Sequence, residues 1–174
     1  QRLHHRSAQG PDQRLLPAEF EIAVFDAYED VAKAINTMVV RGAPAIGAAA
    51  GFGLALAAFE SKAKTAEDLR QDLEEASGVL KKARPTAVNL AWALNRILRR
   101  TADVHSSADD LRQAVLTEAQ RIADEDVEIN KRMAKHGAEL IDDGDTVIHH
   151  CNTGALATVD WGTALGVIRM AHEQ

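Results

Sequence analysis

One cysteine, Cys151, is all the thiol this chain has. A single thiol makes no internal disulfide, and no apolar leader precedes the first charged residues, so a reducing cytoplasm is the expected compartment. Aromatic side chains are scarce too, at four Phe, two Trp and one Tyr, which argues against platforms that stack unpaired bases. A basic excess is also missing: 20 Lys and Arg stand against 26 Asp and Glu, a net charge of −6. Neither nucleic acid nor an anionic membrane surface is an expected partner for such a chain. The longest uncharged run, Gly42 to Phe59, is rich in Ala and Gly and contains Pro44. It reads as a buried helix of a soluble protein, with no membrane span expected.

What is present suits a folded body with a small-molecule or protein partner. At 174 residues and 46% hydrophobic content, the chain is long enough for one sizeable core, or for a domain and part of another. Residues 1 to 11 show no periodicity and are expected as a loose start, too weak a context for a metal site at His4 and His5. Phe20, Ile22 and Val24 alternate with Glu21 and Ala23 and predict a short strand. Asp26 with Glu29 resembles a capping box for a helix over about 27–39, and Pro44 opens a second helix to about Glu60. Gly47, Gly51 and Gly53 inside that helix require a close approach, either by another helix or by a ligand.

Thr65 with Asp68 opens the next helix, which Pro85 stops. Pro85-Thr86 starts another, running to about Arg100. Ser107 and Asp110 cap a long helix whose stripe is written by Leu111, Val115, Ile122, Ile129, Met133 and Leu140. Such a helix is longer than a compact core needs and reads as a connector. A strand over 146–150, a loop at Cys151 and an apolar helix through Leu165, Val167, Ile168 and Met170 follow. The expected fold class is therefore mainly α: a small helical domain with a short β element over 1–106, a connector helix over 107–143, and over 144–174 the first βα unit of an α/β domain. A parallel strand needs neighbours, so these residues are expected to be the front part of a longer protein.

A lone cysteine is more often a small buried hydrophobe than a catalyst. Cys151, however, lies where strand gives way to turn and helix, and unpaired N–H groups at a helix start favour a thiolate or a bound anion. Asn152, Thr153 and Gly154 are turn and capping residues that suit a loop presenting its backbone to a ligand.

Three segments are specific together. Arg41 to Gly47 reads RGAPAIG, Arg84 to Leu90 reads RPTAVNL, and Cys151 to Arg169 reads CNTGALATVDWGTALGVIR. With Asp12-Gln13-Arg14-Leu15-Leu16-Pro17 near the start, they resemble the N-terminal half of the methylthioribose-1-phosphate isomerase family, in the same order. That family belongs to a wider group containing ribose-1,5-bisphosphate isomerase and the alpha, beta and delta regulatory subunits of translation initiation factor 2B. Shared fold therefore leaves function open.

The resemblance implies a Rossmann-like second domain and an aldose–ketose isomerisation in methionine salvage, 5-methylthioribose 1-phosphate becoming 5-methylthioribulose 1-phosphate. It implies no cofactor and no metal, and a homodimer for the full-length protein. The catalytic cysteine of the family matches Cys151. Its aspartate partner lies in the second half of the family and has no counterpart here, Asp160 included, so this chain alone is expected to be inactive. Arg41 and Arg84 sit in the matching motifs, and guanidinium groups present paired donors to phosphate. Arg41 with the N–H groups of Gly42 and Ala43 would converge on one anion at a helix start. Asn152, Thr153 and Gly154 would shape the turn and donate to sugar or phosphate oxygens. The alternatives are a regulatory or assembly protein related to initiation factor 2B, and isomerisation of ribose 1,5-bisphosphate.

Overall fold

The structure is a computed structural model that describes residues 2–4 and 7–174. It corrects the expectation of a loose start. Arg2–His4 (β1) pairs antiparallel with Ser7–Pro11 (β2), and β2 pairs antiparallel with Ile22–Phe25 (β3), in the order β1-β2-β3. The inward positions of β2 are Ala8 and Gly10, too small to write an apolar alternation. Register sets Ala8 opposite Phe25, so β3 turns Ala23 and Phe25 inward and leaves Ile22 and Val24 exposed, the reverse of the face its alternation suggested. The His4 and His5 pairing falls partly outside the described residues, because His5 is not among them.

Among the described residues six α-helices follow, Tyr28–Asn36 (α1), Ala43–Glu60 (α2), Ala66–Ala83 (α3), Val88–Arg100 (α4), Ala108–Ala138 (α5) and Ala164–Glu173 (α6). Every residue of α2 from Ala45 to Ala58 is buried, because the sheet and the helices around it cover all its sides. This helix is long and apolar enough to cross a membrane by length and composition alone, and here its apolar surface is spent on the core formed with Val31, Ile35, Leu69, Leu73, Leu94, Ile97 and Val115. Its glycines are explained by helix packing: a methyl built at Gly51 would lie 3.3 Å from Ile97 Cδ1 and 3.6 Å from Ala119 Cβ.

Local capping holds where it is side-chain to backbone. Thr65 Oγ1 accepts the Asp68 N–H at 3.1 Å, and Ser107 Oγ accepts the Asp110 N–H at 3.0 Å. Asp26 does not cap α1; Ala27 is the N-cap, and the Tyr28 N–H donates to Glu60 Oε1 at 3.0 Å from the end of α2. Left-handed backbone at Met38 (φ 63) ends the chain's course past α1 earlier than the apolar pattern suggested. At the next boundary Pro85 and Thr86 form a turn, closed by Ala87 N–H to Arg84 O at 3.0 Å, and α4 begins only at Val88.

The 31 residues of α5 extend about 46 Å at the standard helical rise. Its first half belongs to the core through Leu111, Val115, Ala119 and Ile122. Beyond that point the expected stripe fails: Ile129, Met133 and Leu140 are exposed, and Asn130, Ala134 and Ala138 are buried instead. A helix with 3.6 residues per turn rotates away from a strict heptad by about 20° in every seven residues. Small residues therefore face α6, where a methyl at Gly137 would meet Val167 Cγ1 at 2.7 Å.

The expected strand over 146–150 is absent, since these residues make no ladder bonds. A strand exists by its pairing, and among the described residues no other strand lies beside this one. The segment thus differs from the βα unit expected of it, although its apolar β-branched residues are those of a strand.

Candidate functional site

Cys151 stands exposed and unpaired at a backbone φ of 70°. Left-handed backbone is costly for a side chain of this kind, and such residues cluster where function over-determines the conformation. The thiol does not stand at a helix start, as its sequence context suggested. A single 3-10 turn occupies Ala155–Ala157, and α6 begins only at Ala164.

The intervening loop is held by its own polar groups. Asn152 Oδ1 accepts the Gly154 N–H at 3.2 Å, an Asx turn that bends the chain just after the thiol. Thr153 closes the loop on α6: its carbonyl accepts the Thr163 N–H at 2.7 Å and its hydroxyl accepts the Leu165 N–H at 3.1 Å. The same hydroxyl lies 3.2 Å from His149 Nδ1, so its hydrogen-bonding capacity is committed to structure. Buried Thr158 donates to Asp160 O at 2.9 Å and accepts the Gly162 N–H at 3.2 Å. Trp161, itself at φ 74, lies under the Arg169 guanidinium, 4.2 Å from the ring centre.

The Arg41 turn packs directly on this loop. Gly42 is the N-cap of α2 at φ 101, and a methyl there would fall 2.4 Å from both Ala157 Cα and Ala157 O. Only glycine permits that backbone to lie on the other. Gln13 bridges the two segments, its Nε2 donating to Arg41 O at 3.0 Å and to Leu156 O at 2.8 Å. The RPTAVNL segment joins through α2, since a methyl at Gly47 would lie 3.1 Å from Asn89 O. Pro44 and Gly47 of the first motif and Asn89 of the second, with Trp92 of α4 and Ile122 and Asp126 of α5, line a cavity of about 180 Å³.

Each arginine expected to hold phosphate is uncommitted: among the described residues, the guanidinium groups of Arg41 and Arg84 make no hydrogen bond or ion pair. The Arg96 guanidinium, by contrast, is spent on Glu118 at 2.7 Å and on both oxygens of Glu125. The start of α2 has no side-chain cap and no acidic residue in its first turn, which leaves its donors and positive dipole end open to an anion. Arg41 and Ala43 are exposed there, and Arg84 is half-buried at the end of α3 with no hydrogen bond to the Cys151 loop. A larger hollow of about 910 Å³ runs along α5 from Leu116 to Arg132. One helix alone lines it, with none of the three motifs, so it carries no argument for the site.

Two residues escaped the sequence reading. Gln13 looked like part of a motif with no stated task. Asp126 is one of several acids on α5, and its residue type alone assigns it no task. In the structure it is half-buried, and its Oδ2 accepts the Val159 N–H at 2.8 Å, fastening the loop from the other side. Nothing local in the sequence separates it from Asp124 or Glu128.

Burial pushes the Asp126 carboxyl above its ordinary value, and the Val159 N–H only partly opposes this. The folded state therefore binds this proton more tightly than the unfolded state, and stability contributed here falls as pH rises from the ordinary carboxylate range through the raised value. Asp126→Asn keeps an acceptor for Val159 without the charge. Its denaturation midpoint relative to the parent is expected to rise as pH climbs from the ordinary carboxylate range through the raised value, then level off. A difference that stays flat or declines over that range would contradict the assignment.

The initiation factor 2 subunit family model matches residues 39–174. The chain is 53% identical over 164 residues to a putative methylthioribose-1-phosphate isomerase of Pyrococcus horikoshii, covering 93% of this chain and 44% of that protein. It is 52% identical over 163 residues to a methylthioribose-1-phosphate isomerase of Synechococcus, covering 94% and 47%. The crystal structure of 5-methylthioribose 1-phosphate isomerase from Pyrococcus horikoshii superposes with a TM-score of 0.92 at 50% identity, over 98% of this chain and 48% of that one. The delta subunit of translation initiation factor eIF-2B from A. fulgidus superposes at 0.87 with 44% identity, over 95% and 48%. The chain spans about half the length of the curated relatives it matches.

Proposed function

We propose that this chain, which belongs to the initiation factor 2 subunit family, carries the N-terminal share of an isomerase site that turns 5-methylthioribose 1-phosphate into 5-methylthioribulose 1-phosphate. The observation that carries the reading is the junction of the uncapped, arginine-flanked start of α2 with the strained loop of Cys151, backbone on backbone at Gly42 and Ala157. Relatives of about half identity bear that activity in their names.

In this reading Arg41, the N–H groups of Gly42 and Ala43, and Arg84 hold the phosphate. A dianion there meets paired donors and the positive end of α2. Asn152 and Gly154 shape the turn that aims the thiol. Aldose–ketose isomerisation takes hydrogen from C2 and delivers hydrogen to C1, which calls for an acid and a base on the two sides of that bond in a site closed to water. Cys151 is one of the pair. Its partner is the aspartate that the family resemblance puts in the second half, and no residue of this chain replaces it. Residues 144–174 are then the opening of a Rossmann-like domain whose further strands would pair with the unpaired segment 146–150. The working protein is a cytoplasmic homodimer without metal or cofactor, and its partner is a small sugar phosphate.

The likeness to an initiation factor subunit delta supports a second reading, a regulatory protein without turnover. An assay separates them. Full-length protein supplied with 5-methylthioribose 1-phosphate is expected to form the ketose, followed by phosphorus magnetic resonance. If the fully folded protein forms none, the isomerase reading fails; turnover of ribose 1,5-bisphosphate in its place would move the substrate and keep the chemistry.

A further inference from the structure

The segment Asp12–Arg14 is braced on both flanks before its middle residue reaches anything. The Asp12 N–H donates to Glu21 O at 2.9 Å and the Gln13 N–H to Val39 O at 3.0 Å. Arg14 closes on Asp12 through its own N–H at 3.0 Å, its Nε at 2.9 Å and its Nη2 at 2.6 Å. That pairing holds the buried Asp12 carboxyl below its usual range. The backbone of Gln13 is thus fixed relative to β3 and to the segment entering the Arg41 turn.

From this support the Gln13 amide spends both of its N–H donors on two main-chain carbonyls, Arg41 O at 3.0 Å and Leu156 O at 2.8 Å. A primary amide has two N–H groups in one plane at a fixed angle. Two acceptors on one nitrogen therefore fix the distance and orientation of the two carbonyls relative to each other. Arg41 O lies in the turn that starts α2, and Leu156 O lies five residues past Cys151 in the same loop. The contact spans 143 positions of sequence between Gln13 and Leu156.

We infer that Gln13 is a positioning residue for the isomerisation, setting the Cys151 loop against the anion-holding start of α2. The inference rests on the site reading given above. Gln13 touches neither thiol nor phosphate in this role; it acts through the two carbonyls. No hydrogen-bonding group of the loop replaces it, because the Leu156 and Arg41 carbonyls are both acceptors and cannot bond each other. Gly42 against Ala157 supplies contact there but no direction, and the Asp126 bond to the Val159 N–H ties the loop to α5 and not to the Arg41 turn, so the amide is what registers these two backbones.

The consequence is a specific kinetic split. Arg41 and the donors of α2 stay in place without the amide, since α2 is held by the core. The phosphate is then bound as before, while the thiol wanders relative to the sugar carbons. Small misplacements of a reacting group cost up to about a hundredfold in rate, and KM is left alone.

Full-length protein with Gln13→Leu, which keeps bulk and loses both donors, and with Gln13→Glu, which sets a carboxylate against two carbonyls, tests this. Both are expected to lower kcat about tenfold or more, with KM for 5-methylthioribose 1-phosphate nearly unchanged. Amide hydrogen exchange of residues 155–158 should accelerate by about tenfold, with α2 and α4 amides unaffected. Unchanged kcat in both variants overturns the inference, as does exchange that accelerates equally throughout α2 and α4, the mark of a merely structural loss. Should the parent protein show no isomerase activity, the functional reading falls, and the exchange measurement judges the bridge by itself: unaltered exchange at 155–158 then overturns it.

Discussion

Cys151→Ala in the full-length protein is expected to reduce isomerase turnover by about a thousandfold, the range typical for removal of a group that transfers protons in the transition state. A thousandfold corresponds to about 4 kcal/mol of barrier. The structure says that this loss will be clean. The thiol is exposed and free, so alanine opens no cavity in the core and strands no partner. Thermal unfolding of the variant should match the parent closely. Cys151→Ser keeps the approximate size and a hydrogen-bond donor, but its hydroxyl is a far weaker acid than the thiol, and it should fall near the alanine variant. Turnover within tenfold of the parent by either variant would remove the thiol from the chemistry and return weight to a regulatory role.

The second large effect is expected at Gly42. Alanine there must adopt a φ of 101°, a strain of about 1–3 kcal/mol for a residue with a Cβ. Its methyl would also lie 2.4 Å from Ala157 Cα and O, and main-chain atoms cannot rotate aside as a side-chain tip can. The cheapest relief is to push the 155–157 turn off α2, because that loop buries little while α2 is locked in the core. Gly42→Ala is therefore expected to lower stability by about 2 kcal/mol and to abolish most turnover even where the protein is fully folded. Gly144→Ala is the control: its φ is 86° with nothing within 4 Å of the added methyl, so it carries the backbone strain without the clash. If denaturation and assay place both variants together, the contact between the turn and the loop has no functional weight.

Much of the helical framework was legible because its causes are local. Thr65 and Ser107 cap their helices through bonds three residues away, and Pro44 sits in the first turn of α2 as its fixed φ allows. Where the cause was distant, the reading failed. Asp26 lost its expected cap because Glu60 supplies the acceptor from another helix. The stripe on α5 drifted because one heptad pattern cannot follow a straight helix over its whole length. Residues 7–11 form a strand with only Ala and Gly facing inward, a pattern that leaves no hydrophobic signature.

The site divides in the same way. Cys151, Arg41 and Arg84 are candidates by residue type within their motifs. Thr153 was expected to shape the turn and to donate to sugar or phosphate oxygens; its carbonyl and hydroxyl accept the N–H groups that close the loop on α6. Gln13 and Asp126 were invisible because each acts on a main-chain group far along the chain, and any backbone N–H or carbonyl looks the same whatever the side chain.

By itself the sequence determined the single thiol, the acidic balance, the apolar continuity of α2 and the positions of most helices, all properties of composition or of bonds spanning a few residues. Only the tertiary structure decided that the start of α2 meets the loop of Cys151, that Gln13 registers one against the other, and that Asp126 ties down the far side. Helical hydrogen bonds close within four residues and so leave their mark in short stretches of sequence. A bridge across 143 positions depends on every element that brings its ends together, and it exists only once the core around α2 has formed.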